Sequence, residues 1–245
     1  MATLPNTQAP EPRITGNGDT LELNSIFHTI QGEGPYAGYA ATFIRLAGCN
    51  LQCPLCDTEY TSRVTVDMRE LAGRIPPAPN LVVITGGEPF RQNITPLVQW
   101  LALVRGHTVQ IETNGKLPPQ QTDGLEALVK YGRIAIVVSP KTTSVHPWFY
   151  EYGAAWKYVI RGGDALCEGD VDPEDGLPNT ALDHPINNGR LARPPEGAQV
   201  FVQPADEQDD ALNALNMVAA VNAVREFPQH RRRLSVQMHK LADLE

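Results

Sequence analysis

The sequence predicts an α/β protein, a mostly parallel sheet flanked by helices and organised as an incomplete barrel of about six βα units. Three observations predict it. Short, near-continuous apolar runs recur along the chain, as suits strands covered on both faces. Segments with helical spacing separate them. A closed eightfold barrel needs about 250 residues, and this chain spends many of its 245 on loops.

Taken in order, residues 1–18 carry Pro5, Pro10, Pro12, Gly16 and Gly18 and read as a flexible leader, leaving 19–245 as one core domain. Strands are expected at 42–47, 81–85, 108–112, 134–138, 156–160, 200–203 and 234–237. Helices are expected at 67–74, 93–105, 123–131 and 208–227. In the last, Leu212, Leu215, Val218, Ala219 and Val221 recur at three- and four-residue steps and predict one apolar face. Residues 171–197 hold five prolines and read as an irregular loop in place of a crossover helix.

Apolar residues at 42% and charged residues at 20% exclude a disordered chain. A net charge of −8 disfavours direct binding to nucleic acid. No apolar stretch reaches the roughly 18–20 residues of a membrane span, and the first twenty residues lack the apolar centre of a signal peptide. A cytoplasmic protein is expected.

The cysteines say more. Cys49, Cys53 and Cys56 crowd into eight residues while Cys167 stands apart and reads as a free thiol. That is not the even spread of a disulfide framework. Three thiols spaced C-x3-C-x2-C on the loop after a strand can converge on one metal centre. Structural zinc takes four ligands and an all-protein iron–sulfur site four cysteines. No fourth Cys or His lies within twenty residues of the trio. The spacing therefore implies an open coordination position, or else a zinc knot closed by distant His28 or His107.

The motif after a first barrel strand resembles the radical S-adenosylmethionine superfamily, whose Gly-Gly-Glu element is matched by Gly86-Gly87-Glu88-Pro89 after an apolar strand. Further motifs resemble the 7-carboxy-7-deazaguanine synthases of the queuosine pathway: Gln31-Gly32-Glu33-Gly34, Arg45 to Asn50, Cys56-Asp57-Thr58, Glu112 to Gly115, Ser139-Pro140-Lys141, Val202 to Pro204 and Gln237 to Lys240. They occur in family order from Leu23 to the end of the chain.

The resemblance implies a radical S-adenosylmethionine barrel of the (β/α)6 kind and a lyase that serves tRNA modification. Its substrate is 6-carboxy-5,6,7,8-tetrahydropterin; a 5′-deoxyadenosyl radical starts the ring contraction, and ammonia is lost. It implies a [4Fe–4S] cluster on Cys49, Cys53 and Cys56, S-adenosylmethionine on its open iron, and Mg2+ on Thr58. Substrate contacts are implied at Ile30, Gln31, Gly32, Glu33, Arg45, Thr85, His239 and Glu245. S-adenosylmethionine contacts are implied at Leu55, Cys56, Asp57, Gly87, Glu88, Ser139, Pro140, Lys141, Gln203, Pro204, Ala205 and Asp206. A homodimer and a flavodoxin-like reductant are implied as partners. The tail departs from the family pattern, since Leu-Ala-Asp-Leu-Glu replaces a Tyr-initiated apolar end after Lys240.

Each residue also has a plainer reading. Arg45 in an apolar strand could pair with a structural acid; Asn-Gly and Ser-Pro are common turns; Arg231-Arg232-Arg233 reads as a solvated corner. Two other functions share the cysteines: a glycyl-radical-activating enzyme acting on a partner protein, and a non-catalytic metal-binding module, which as a zinc site would hold no sulfide.

Overall fold

A computed structural model describes residues 6–54, 56–162, 171–183, 189–228 and 231–238. The parallel strands are β2 (Ala40–Leu46), β4 (Leu81–Gly86), β5 (Thr108–Thr113), β6 (Ile134–Val138), β7 (Ala155–Ile160) and β8 (Gln199–Pro204), with a two-residue β9 (Arg233–Leu234) at one edge. Two antiparallel strands, β1 (Thr20–Ile30) and β3 (Val64–Asp67), close the other edge. The order is β3-β1-β2-β4-β5-β6-β7-β8-β9. This is the α/β, mostly parallel architecture expected from the apolar runs. β6 is buried at every position, as a strand covered on both faces should be.

The helices are α1 (Met68–Arg74), α2 (Thr95–Gln99, continuing as a wider π turn over Trp100–Val104), α3 (Leu125–Lys130), α4 (Trp148–Tyr152) and α5 (Asp210–Arg225). Asp67 caps α1 by accepting from the Arg69 and Glu70 amides, and Asp209 caps α5 likewise. One large apolar cluster runs between helices and sheet, from Leu21 and Ile44 through Ile84, Ile111 and Ile136 to Val202.

Four features depart from the sequence reading. β1 escaped it because the register shifts between Leu23 and Ser25. Such a bulge breaks the two-residue alternation by which a half-buried strand is recognised. β3 and α4 escaped it through shortness. The expected strand at 234–237 shrinks to Arg233–Leu234. The buried face of α5 is rotated from the expected one: Leu212, Leu215 and Val218 are exposed and Val221 half-buried, while Ala219 packs against the core and Asn216, Ala220 and Ala223 are buried. Asn216 sets that rotation, since its Nδ2 donates to Ala205 O at 2.9 Å and its Oδ1 accepts from Gly162 N at 2.7 Å. Two alanines then let the helix approach the sheet closely.

Between β7 and β8, residues 171–183 and 189–198 form no helix. Leu177, Ala181, Leu191 and Ala192 nevertheless enter the core, and Arg193 ties this stretch together through Asp175 and the Pro178 carbonyl. Residues 6–18, expected to be a leader, run along the protein and are hydrogen-bonded to it at both ends. Among the described residues no helix is long and apolar enough to cross a membrane.

Candidate active site

The parallel strands end in a cavity of about 260 Å3. Arg45, Thr85, Glu112, Thr113 and Ser139 reach it from the carboxyl ends of β2, β4, β5 and β6, where ligands bind in α/β folds. Arg45 and Thr85 stand opposite each other in register.

Cys49, Cys53 and Cys56 line the same cavity as free thiols. Their loop is held close to the end of β4 by Gly87. A Cβ on Gly87 would lie 2.1 Å from Gly48 O and 2.9 Å from Cys49 Cβ. Burial pushes the Cys49 thiol up to about 12, and burial also raises Cys53 and Cys56. These sulfurs stay protonated until a metal displaces the protons. Among the described residues no three His, Cys, Asp or Glu side chains are drawn together as ready-made metal ligands. The thiols thus share a cavity, not yet a coordination shell. Three soft sulfurs, with no carboxylate or imidazole drawn in beside them among the described residues, suit an iron–sulfur group with one open iron. The zinc knot is not assembled: His28 Nδ1 meets Thr42 Oγ1 at 3.0 Å, and His107 lies at the far, amino end of β5 against Asn80 O. Neither lines the cavity.

The polar wall opposite is a charge network. Glu112 Oε1 accepts from Gln31 Nε2 and Gln110 Nε2, each at 3.0 Å, and Oε2 accepts from Thr85 Oγ1 at 3.0 Å. Glu33 forms an ion pair with Lys157 and accepts from Gln237 Nε2 at 2.9 Å. Burial alone would raise the Glu33 carboxyl. The Lys157 ammonium beside it, with hydrogen bonds from Lys157, Gln237 and Gln203, instead brings it down to about 2. Burial likewise works against the Lys157 charge, and Glu33 and Glu112 outweigh it, so the ammonium is held above its ordinary range. Lys141 donates to Ser139 Oγ at 2.6 Å and Ser139 O at 2.9 Å; burial lowers it, against the pull of Cys53. Arg45 lies over the Phe27 ring at 4.9 Å, and its Nε is buried with no hydrogen-bond partner among the described residues.

The cavity gathers most of the residues singled out from the sequence: Gln31, Glu33, Arg45, the three cysteines, Asp57, Thr58, Thr85, Gly87, Ser139 and Lys141. It does not gather all. Glu88 does not line it and is fully buried: Thr113 Oγ1 at 2.8 Å, Asn114 N at 2.8 Å and Phe90 N at 3.0 Å all donate to its carboxylate. Burial brings that carboxyl up to about 7. Ala205 and Asp206 serve the junction with α5, where Ala205 O accepts from Asn216 and Asp206 from Asn213. Ile30, Gly32, Pro140, Gln203 and Pro204 stand beside the cavity without lining it. Leu55, Cys167, His239 and Glu245 lie outside the described residues.

Lys157, Tyr60 and Phe43 line the cavity and were missed, and Glu112 and Gln237 were noted only as parts of motifs. Lys157 had a signal. A lysine in an otherwise apolar strand is costly to bury unless a carboxylate meets it.

No protein-family profile matches the chain. Its sequence is 40% identical to the 7-carboxy-7-deazaguanine synthase of Rhodospirillum rubrum, covering 96% of this chain and 95% of that one. It is 37% identical to the 7-carboxy-7-deazaguanine synthase of Rickettsia prowazekii, covering 95% and 92%. Its fold is similar to the crystal structure of QueE from Escherichia coli, with a TM-score of 0.60 and 24% identity over 89% of this chain and 94% of that one.

Proposed function

The chain belongs to the 7-carboxy-7-deazaguanine synthase family, and on that premise we propose that its cavity takes 6-carboxy-5,6,7,8-tetrahydropterin and, as a radical S-adenosylmethionine lyase, yields 7-carboxy-7-deazaguanine with loss of ammonia, a step toward queuosine and other 7-deazapurines. The observation that carries the reading is the meeting in one cavity of three free thiols, an arginine whose buried Nε has no partner among the described residues, and a multiply hydrogen-bonded carboxylate.

Cys49, Cys53 and Cys56 would hold a [4Fe–4S] cluster, with S-adenosylmethionine beside Gly87, Ser139 and Lys141. When bound, these groups supply the electron and the hydrogen-abstracting radical. The chain's own work is placement. The Arg45 fork takes the substrate carboxylate, a planar match that would satisfy its orphaned Nε. Gln31 and Thr85 fix the Glu112 carboxylate against the N–H edge of the pterin. Glu33, already engaged by Lys157 and Gln237, anchors the rim more than it reads the substrate. The Thr58 hydroxyl, which donates to Asp57 at 3.4 Å, supplies one oxygen to Mg2+, substrate and water completing the shell. We assign the reducing role to a flavodoxin-like protein and the working unit to a cytoplasmic homodimer, on the family resemblance.

The test is anaerobic reconstitution followed by turnover of the carboxypterin. Iron and labile sulfide should load together, and Cys49→Ala, Cys53→Ala or Cys56→Ala should each abolish cluster absorbance and S-adenosylmethionine cleavage, while Cys167→Ala does neither. An intact, active cluster in any of the first three variants would sink the assignment.

A further inference from the structure

Among its described residues the loop from Gly48 to Tyr60 has almost no regular structure of its own, yet several of its backbone carbonyls are engaged from outside. Glu11 N donates to Cys49 O at 2.7 Å, Asn6 Nδ2 to Cys53 O at 3.1 Å, Asn6 N to Pro54 O at 3.0 Å, and Gln8 Nε2 to Thr58 O at 2.9 Å. Traffic in the other direction completes the seam. Gln52 Nε2 donates to Asn6 O at 2.9 Å, Tyr60 N to Gln8 Oε1 at 2.8 Å, and the Tyr60 hydroxyl to Gln8 O at 2.9 Å. Tyr60 is 1% exposed, so this seam closes over a buried ring. Beyond it, Arg91 Nη1 donates to Pro12 O at 3.1 Å, Ile14 N donates to Arg91 O at 2.8 Å, and Arg63 pairs with Glu11.

We propose that residues 6–14 are a strap that preorganises the cysteine loop for its cluster, with Asn6 and Gln8 as positioning residues acting through loop carbonyls rather than through sulfur. The proposal rests on the cluster chemistry assigned above. Its physical content is entropic. A loop with three ligands and little secondary structure must be confined before all three sulfurs can bind one group, and confinement in advance removes that cost from binding. The Gln8 amide is suited to the task because its donor and acceptor ends each take a different loop residue, Thr58 and Tyr60. The composition of the segment, with Pro10 and Pro12 among mostly polar residues, gives no hint of this. Its role appears only in what it touches.

Amide hydrogen exchange on the cluster-free protein, followed by cluster retention after anaerobic loading, tests the strap. In the Asn6→Ala/Gln8→Ala double variant the amides of residues 50–60 should exchange at least about tenfold faster, as expected when three side-chain hydrogen bonds are lost from a locally opening segment. Those of β4–β7 should hold their parental rates. The loaded variant should lose iron and sulfide to a chelator severalfold faster than the parent. Gln8→Glu keeps the acceptor for Tyr60 N–H but not the donor to Thr58 O, and should fall between. Tyr60→Phe keeps the buried ring and removes the hydroxyl from the seam, giving a second, milder variant that should move in the same direction. Parental exchange and parental retention in the double variant would overturn the proposal. So would acceleration spread equally over β4–β7, which would make the segment a general support of the fold. If the parent itself takes up no cluster, the functional reading fails, and exchange in the cluster-free loop still decides whether the strap confines it.

Discussion

A guanidinium inside an apolar strand is tolerable only when something takes its charge and its hydrogen bonds. Arg45 has a ring face at 4.9 Å and an unpartnered, buried Nε. A substrate carboxylate would fill the gap. Arg45→Lys replaces a planar fork with a point charge and should raise KM for the carboxypterin by about 10- to 100-fold, the worth of a lost charge-assisted hydrogen bond. KM for S-adenosylmethionine should stay near the parental value. Steady-state kinetics with each ligand varied in turn checks this, and equal losses for both would return Arg45 to a structural role. At this scale the sequence was legible where a residue type is expensive in its setting, as with Arg45 and the three thiols. At Glu88 the structure adds what the sequence did not show: its carboxylate accepts from Thr113, Asn114 and Phe90. Lys157 was legible by the same cost argument, and its meaning needed the partner Glu33, 124 positions away.

Elements were legible where one physical rule dominates. Continuous apolar runs marked the parallel strands, because burial on both faces leaves no room for polar alternation. α5 shows the opposite case: side-chain size suggested a face of Leu212, Leu215 and Val218, whereas two hydrogen bonds from Asn216 set the rotation. Hydrophobic period alone does not report close packing of alanines. The junction of β4 with the cysteine loop makes a test at the same scale. In Gly87→Ala the new Cβ would meet Gly48 O at 2.1 Å, and backbone, not a flexible side-chain end, has to give way. Gly73→Ala is the matched control, a helical glycine in α1 whose Cβ would meet nothing within 4 Å. The control should gain roughly 0.5–1 kcal/mol of stability, the helix preference of alanine over glycine. Gly87→Ala should displace Cys49 and lose iron uptake along with stability. Thermal melts and iron per chain separate the two, and normal iron uptake in Gly87→Ala would show that the loop has slack.

Across the whole molecule, Glu33 is where distant parts of the chain meet. It leaves the end of β1, pairs with Lys157 on β7, and accepts from Gln237 beyond β9. Its carboxyl is brought from the usual 4.5 down to about 2. A depressed acid stabilises the fold above its unfolded value and loses that contribution as pH falls through the folded one. The window is therefore about pH 4.5 down to 2. Glu88 works in the opposite sense: raised to about 7, it costs stability as pH rises from 4.5 to 7, and below 4.5 it is protonated in both states and drops out. Acid titration below pH 4.5 thus isolates Glu33 from Glu88. In Glu33→Gln the slope of stability in that window should flatten. The same variant should be weaker than the parent at neutral pH, because it leaves the Lys157 ammonium buried without its counter-charge. Adding Lys157→Met should recover much of the neutral-pH loss while keeping the flattened slope. Urea midpoints at pH 7, pH 4.5 and pH 3, measured on cluster-free protein, check both variants against the parent. A Glu33→Gln variant as stable as the parent at pH 7, and losing stability as steeply between pH 4.5 and pH 3, would mean that the pair is a solvated contact and not the latch joining β1, β7 and the segment after β9.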